Sequence, residues 1–513
     1  MFYVLGAVVV LVFALPIYRL YFHPLAKYPG PLRYKLSSLP LLWQAYRGNR
    51  HLYHLRDHEK YGPIVRIAPD TLSFNTATAL STIYGSRNAN VQKSEFYKTF
   101  DYTAGAWSTL TETDKDVHAA KRRWVAPIFS AESIKVSEPL IIDVIERFCE
   151  TIKPAGQGWG EKWNATNMSN YLGYDIMGQW LLGVDFRAVQ EKTYRNIADS
   201  LLPVAQLMYW ISLLPFTALV RPLLHTKLPE LIGGKAVAEN VTLVNFCSKE
   251  IESRLEGKKQ VDDSRADFLS RIINTEDKKT GWRPTRADLD TEALNLVMAG
   301  ADPYASIMAA VFFYLVHNET VLKRATAEVR SAFSSPDEIR NGPKLNSCEY
   351  LYACIEETLR RAAAVPSLVP RVVMAGGFTV DGHHLPQGTV VGIPMYPLHH
   401  NPEYYSDPWS FRPERWLESE TDPESIARAR KAFAPFMMGT RQCSGRVLAY
   451  LQMKLTLAHI IFRFDLRLSP EDNGLGGGSP DLEEGRHRRD EFQLIDAFGF
   501  GRDGPLVEVR VAE

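Results

Sequence analysis

One ten-residue segment constrains this chain more than any other: Phe436-Met437-Met438-Gly439-Thr440-Arg441-Gln442-Cys443-Ser444-Gly445. It sets a cysteine between two glycines, close to an arginine, where Gly445-Arg446-Val447-Leu448-Ala449 opens a helix. Glycine accepts the left-handed backbone of a tight turn and lets the main chain come close to a flat ligand. The helix start turns N–H donors and the positive end of its dipole towards the sulfur, and Arg441 adds a cation. Under such conditions a cysteine is held as a thiolate, and a thiolate on haem iron pushes electron density onto the metal and favours O–O cleavage. Cys443 therefore reads as the axial ligand of a haem, against the bland alternative of a buried, inert thiol. The hydroxyl of Ser444 either hydrogen-bonds near the sulfur or bonds its own helix turn.

Upstream, Glu357-Thr358-Leu359-Arg360 puts a carboxylate and a guanidinium one helical turn apart, close enough to pair. Between the two segments lies Phe411-Arg412-Pro413-Glu414-Arg415-Trp416. An isolated E-x-x-R arises by chance in many helices. The three elements in this order, however, resemble the cytochrome P450 family, with its E-x-x-R, its P-E-R-F/W and its F-x-x-G-x-R-x-C-x-G loop. The resemblance implies a mainly α fold with small β-sheets, in one triangular helical domain. It also implies haem b (heme, iron protoporphyrin IX) on Cys443, with Phe436, Gly439 and Arg441 in the cofactor-binding loop. Glu357, Arg360 and Arg415 become a buried charge network serving fold and haem retention. The haem propionates fall to His118 and Arg122, which share a helix face at i,i+4, together with Arg371 and Arg441. By the same analogy Lys121, Arg123, Arg430, Lys431 and Lys454 form a basic proximal face for an acidic electron donor.

A chain of 513 residues could hold about three domains by length alone, but the family packs such a length into one, and no internal repeat favours a solenoid. Lysine plus arginine and aspartate plus glutamate balance at 59 each, so no basic field argues for nucleic acid. Five scattered cysteines argue for a reducing compartment rather than a disulfide framework. Apolar residues recur at helical spacing in 140–152, 289–316 and 321–333. Strands read as few and late, at 378–380, 390–393 and 506–511, the first two beside turn signals. The polar, glycine-rich stretch 469–490 reads as a mobile surface loop. Gly499-Phe500-Gly501-Arg502-Asp503-Gly504 formally matches G-x-G-x-x-G, but Pro505 and a strand follow where a nucleotide site needs a helix.

The N-terminus runs apolar from Phe2 through Ile17 and continues past Arg19 in Leu20, Tyr21 and Phe22. That is roughly 30 Å of helix, enough to cross a bilayer. Residues 1–22 thus read as a single-pass transmembrane anchor, 23–35 as a proline-rich hinge and 36–513 as the catalytic domain. A cleaved signal peptide competes, but there is neither a basic n-region nor a clear cleavage site. Arg19, Lys27, Arg33 and Lys35 all follow the apolar run, which leaves the catalytic domain in the cytoplasm. The hinge resembles that of microsomal, filamentous-fungal family members, implying the endoplasmic reticulum membrane and contact with its lipid.

The central helix departs from the family. Ala299-Gly300-Ala301-Asp302-Pro303-Tyr304 resembles A-G-x-D/E-T-T with both threonines missing. The resemblance makes Asp302 the acid that helps deliver protons during dioxygen activation. Pro303 has neither hydroxyl nor backbone N–H, and its ring should clash with the Ala299 carbonyl and kink the helix. Gly300 reads as a point of close access to the macrocycle, and Tyr304 is turned about 100° off the face of Asn295, Ala299 and Pro303. By resemblance the substrate pocket is lined by Phe100, Tyr102, Trp107, Asn295, Met298, Ala299, Pro303, Ser367, Leu368, Val369 and Phe498. The implied protein is a monooxygenase acting on an apolar small molecule of secondary metabolism. It would be a monomeric catalytic unit that takes O2 and electrons from an NADPH-cytochrome P450 reductase, having no flavin or nicotinamide site of its own. Pro303 keeps open a haem-thiolate isomerase, dehydratase or peroxide-dependent oxidase, and a non-catalytic haem sensor stands third.

Overall fold

The computed structural model describes residues 14–100, 105–257, 268–273 and 275–513. Its axis is a 32-residue helix, Arg286–His317, the central helix. The helix begins at Thr285 because a capping box closes it: Thr285 Oγ1 accepts the Asp288 N–H while the Asp288 carboxylate accepts the Thr285 N–H. Most side chains from Leu289 to Leu315 are buried, so the helix is apolar around its circumference rather than along one stripe. By length and hydropathy it is the one described helix that could cross a membrane, but 78% of its most apolar window is buried inside the protein. Residues 1–13 of the expected anchor lie outside the described residues. Residues 14–17 are helical, and Tyr18–Phe22 adds a π turn that ends at His23, before Pro24.

Helices Ala165–Met177, Glu319–Ala332, Glu349–Arg361 and Arg446–Arg463 pack along the central helix. The closest approach rests on two glycines. A Cβ on Gly173 would stand 2.8 Å from the Ala301 carbonyl oxygen, and one on Gly300 would stand 2.4 Å from Met177 Cε. Gly300 therefore serves helix–helix contact. Pro303 does not interrupt the element, for the chain runs through it as one α-helix.

Strands are neither few nor only late. The largest sheet starts with β1 (Ile64–Ala68) and β2 (Thr71–Phe74), joined by β3 (Val91–Lys93), β5 (Arg371–Val373) and β8 (Val390–Gly392) in the order β1-β2-β8-β5-β3. Every residue of β2 is buried, so it carries no polar–apolar alternation to read. The late strands stand as expected: β6 (Phe378–Val380) pairs with β7 (His383–Leu385), and β12 (Leu506–Val511) lies between β4 (Trp163–Asn164) and β9 (Phe464–Leu468). β10 (Ile495–Ala497) and β11 (Gly499–Gly501) form a separate hairpin. Residues 469–490 lack regular structure but are tethered. Arg486 donates to Asn49 Oδ1 (3.0 Å), Leu494 O (2.8 Å) and Gly48 O (3.2 Å), and Arg488 lies 3.6 Å from the Trp409 ring centroid. Charges that suggested a solvated loop are the anchors that dock it.

Candidate haem-thiolate active site

The cysteine loop folds back on itself, with the Cys443 N–H donating to Phe436 O and the Met437 N–H to Ala434 O, both at 2.9 Å. The Phe436 ring packs 5.1 Å from that of Tyr450. Gly439 takes a left-handed φ of 71°, and a Cβ there would sit 2.1 Å from Tyr84 O. Met437 shares that region at φ 58° without glycine's freedom. Gly445 is different: at φ −80° it is the N-cap of the helix Arg446–Arg463, and a Cβ would meet only Phe129 at 3.7 Å and Cys443 Sγ at 3.9 Å.

Cys443 is the exposed one of five cysteines. Burial pushes the thiol up, against the Gly445 N–H, the Arg122 guanidinium and the Arg446 N–H, all of which favour the thiolate. The cation beside the sulfur is thus Arg122, not Arg441 as the sequence suggests. Arg122 donates to Gln442 O (2.9 Å) and to Ser444 Oγ, so the Ser444 hydroxyl is engaged from across the loop rather than by its own turn. Arg441 turns instead to the carbonyls of Glu112 (2.7 Å), Asp114 (3.1 Å) and Thr113 (3.2 Å).

The four expected propionate partners do share one neighbourhood, and a fifth group joins them. Lys93 on β3 lies opposite Arg371 on β5 in the antiparallel register, a placement in which like charges repel. Burial, then Arg371, Arg441 and Arg122, push the Lys93 ammonium well below its ordinary range. Burial followed by Arg441 and Lys93 holds His118 neutral, at about 2, and burial with Arg371 lowers Arg441 to about 10. Glu112 and Asp114 offset only part of this charge. A buried basic cluster short of carboxylates is built to receive anions. Two propionates fit it, and Cys443 supplies the single soft ligand that haem iron needs.

Glu357, Arg360 and Arg415 form the expected network, wholly inside the protein. Arg360 gives Glu357 two bonds, at 2.9 and 2.7 Å, and Arg415 Nε reaches both carboxylate oxygens at 3.2 Å. Trp416 Nε1 adds a donor at 3.0 Å that the motif did not announce.

The pocket residues divide. Phe100 packs against Phe498 (4.8 Å) and Phe96 (5.6 Å), with Phe498 presented from a left-handed φ of 75°. Tyr102 lies outside the described residues. Trp107 is half-buried, 5.7 Å below the Lys98 ammonium. Ser367 donates to the Asp496 carboxylate, and the Val369 carbonyl accepts Tyr84 Oη at 2.6 Å. Leu368 faces away, packing with Leu41, Val65 and Ile67 in a separate cluster, since alternate residues of an extended segment point to opposite sides. Asn295 bonds Glu292 (3.3 Å), which in turn accepts the Thr109 N–H (2.7 Å) and Oγ1 (2.6 Å). Met298 is buried, Pro303 half-buried, and Ala299 stands exposed within this buried stretch. Tyr304 is off the face, its hydroxyl bonded to Thr456 at 2.7 Å. Asp302 pairs with Arg502 at 2.9 Å.

The expected basic proximal face is largely neutralised. Lys121 is buried against Asp288 (2.7 Å), Arg123 grips Asp277 through two 2.7 Å bonds, and Arg430 pairs with Glu356. Lys454 bonds Asn346 at 2.8 Å, while Lys431 and Arg446 stay exposed.

A lone cysteine ligand at a helix start, a basic cluster for two carboxylates and a long central helix define a haem-thiolate protein. The cytochrome P450 family profile matches residues 29–475, and the chain belongs to that family. It is 35% identical over 508 residues to the cytochrome P450 monooxygenase fscF of Fusarium equiseti, covering 97% of this chain and 94% of that one. It is 34% identical to AKT7 of Alternaria alternata (97% and 95% covered) and 35% identical to atnE of Emericella nidulans (98% and 95%), both likewise cytochrome P450 monooxygenases. The cytochrome P450DA heme domain shares the fold at a TM-score of 0.72 and 15% identity, over 95% of this chain and 97% of that one. The protein is a monooxygenase whose cofactor is haem with the Cys443 thiolate as axial ligand.

Proposed function

We propose that this monooxygenase oxidises an apolar small molecule of fungal secondary metabolism at a membrane surface. What supports an apolar substrate is the aromatic cluster of Phe96, Phe100 and Phe498, two of which the family resemblance assigns to the pocket and which favour an apolar ligand over a charged one. Bound haem supplies the oxygen-activating chemistry. Cys443 holds the iron, and Lys93, His118, Arg122, Arg371 and Arg441 hold the propionates. Asp302 delivers protons. Because Pro303 brings no hydroxyl, ordered water or a hydroxyl on the substrate itself completes the delivery.

Residues 1–22 serve as the single-pass anchor, 23–35 as hinge and 36–513 as catalytic domain, on the cytoplasmic side of the endoplasmic reticulum. The membrane reading draws support from exposed apolar side chains at Phe216 (79%), Leu219 (76%) and Leu231 (82%), and at Tyr21, Phe22 and Trp43 near the N-terminus. The adjoining helices of the two regions touch where Trp210 Nε1 donates to Ala45 O (3.2 Å). O2 and an NADPH-cytochrome P450 reductase complete the system, with Lys431 and Arg446 on the docking side. The test incubates membranes carrying the protein and reductase with an extract of the host's small molecules, with and without NADPH. A product one oxygen heavier, formed only with NADPH, is expected. A product formed without NADPH or O2 transfers the protein to the isomerase class.

A further inference from the structure

We propose that the β10–β11 hairpin and the residue just beyond it aim the acid of the central helix, with Arg502 as its positioning residue. Arg502 Nη1 lies 2.9 Å from Asp302 Oδ1, and the two side chains are only 4% and 18% exposed. The hairpin also comes close to the second oxygen, since a Cβ on Gly499 would stand 2.8 Å from Asp302 Oδ2. One oxygen is held by the guanidinium, and the other lies where only a residue without a side chain leaves it space. The segment bearing Arg502 is itself fixed: Asn164 Nδ2 donates to Asp503 Oδ1 and Thr166 Oγ1 to Gly504 O, both at 2.8 Å. The hairpin also carries Phe498 against Phe100 (4.8 Å) and Asp496, which accepts from Ser367. The element that carries Phe498 therefore also holds the acid, and Asp302 exchanges protons through Oδ2 while Arg502 keeps Oδ1.

The inference rests on the reading of Asp302 as the proton-delivering acid, and the test separates the two. It uses the full-length, haem-loaded protein with reductase and no added substrate, and follows NADPH oxidation and its solvent deuterium isotope effect. A thermal double-mutant cycle between positions 302 and 502 gives a readout independent of turnover. Asp302→Asn slows NADPH oxidation and raises the isotope effect. Arg502→Gln is expected to do the same, by about 10- to 100-fold in rate for a displaced group, with Arg502→Gln/Asp302→Asn no slower than Asp302→Asn and a non-zero coupling in the thermal cycle. Gly499→Ala, which displaces Oδ2 without removing a charge, moves both quantities the same way and serves if Arg502→Gln does not fold. Wild-type rates and isotope effects in Arg502→Gln or Gly499→Ala, beside an altered Asp302→Asn, overturn the positioning role. An unaltered Asp302→Asn overturns the acid's role and this inference with it.

Discussion

Arg360→Ala tests the buried charge network most sharply. The Arg360 guanidinium gives Glu357 two charge-assisted bonds, at 2.9 and 2.7 Å, and meets the carbonyls of His399 and Pro408 at 2.8 Å. Neither side chain of the pair is exposed at all. Arg415 (3.2 Å) and Trp416 (3.0 Å) remain after the substitution, so the stranded carboxylate keeps weaker partners. Removing one member of such a pair costs about 3–5 kcal/mol. A second route agrees. Burial opposes the Glu357 charge, but Arg360 and Arg415 outweigh it and hold the carboxyl at about 2 against an ordinary 4.5, a difference on the order of 3 kcal/mol. At about 2 cal/mol/K of unfolding entropy per residue, a chain of 513 residues loses about 3–5 °C of thermal midpoint. The assay is calorimetry of the haem-loaded protein with haem content read by absorbance. Because the folded pKa is depressed, the stabilisation is present above the ordinary carboxylate pKa and is lost as pH falls towards 2. The deficit of the mutant should accordingly narrow on acidification below pH 4.5. A soluble Arg360→Ala protein with full haem content and a wild-type midpoint at neutral pH would mean that the network does not hold the fold.

Cys443→Ser removes the soft anionic ligand and should abolish the red-shifted absorption of the reduced carbon monoxide complex, the spectrum that checks it. Lys93→Met is expected to act with opposite signs: it relieves repulsion with Arg371 in the haem-free chain, raising or preserving its midpoint, and weakens haem loading by about tenfold or more through a lost charge-assisted bond. Haem titration of the haem-free protein separates the two effects. Pro303→Thr should cut peroxide release per NADPH more for ligands without a hydroxyl than for a hydroxyl-bearing native substrate, since one positioned proton donor is commonly worth about 10²–10⁴-fold.

What could be read from the sequence was whatever lies within one turn or one loop. The Glu357–Arg360 pair and the helical stretch 289–316 are local patterns that the fold keeps, and so is the turn at Gly439, whereas the cation beside Cys443 comes from another helix. Partners chosen across the molecule were not readable. Arg502 meets Asp302 from 200 residues away, and Lys93 joins the basic cluster only because β3 pairs with β5. Orientation failed for a related reason. Leu368 is one residue from Ser367 and Val369, yet the extended backbone turns it into another cluster. Gly300 stands beside Ala299, but a step along the helix carries it to Met177 while Ala299 remains exposed. A motif names residues, and the backbone period decides which of them share a face.

The two arginines that the sequence reading confused show why thiolate and propionate ends belong to one structural unit. Arg441 leaves the cysteine loop to grip the carbonyls of Glu112, Thr113 and Asp114, where Asp114 caps the helix Lys115–Val125 by accepting the Asp116 and Val117 N–H groups. Arg122 leaves that same helix to grip Gln442 O and Ser444 Oγ on either side of Cys443. Each arginine thus secures the segment that bears the other, a reciprocal clasp in which neither loop nor helix can shift alone. Both guanidiniums also belong to the basic cluster with Lys93, His118 and Arg371. Anions arriving at that cluster would neutralise charges that otherwise repel across the clasp. The two arginines that tie the cysteine loop to the helix Lys115–Val125 are therefore the same two that belong to the basic cluster, so a change at either end is felt at the other.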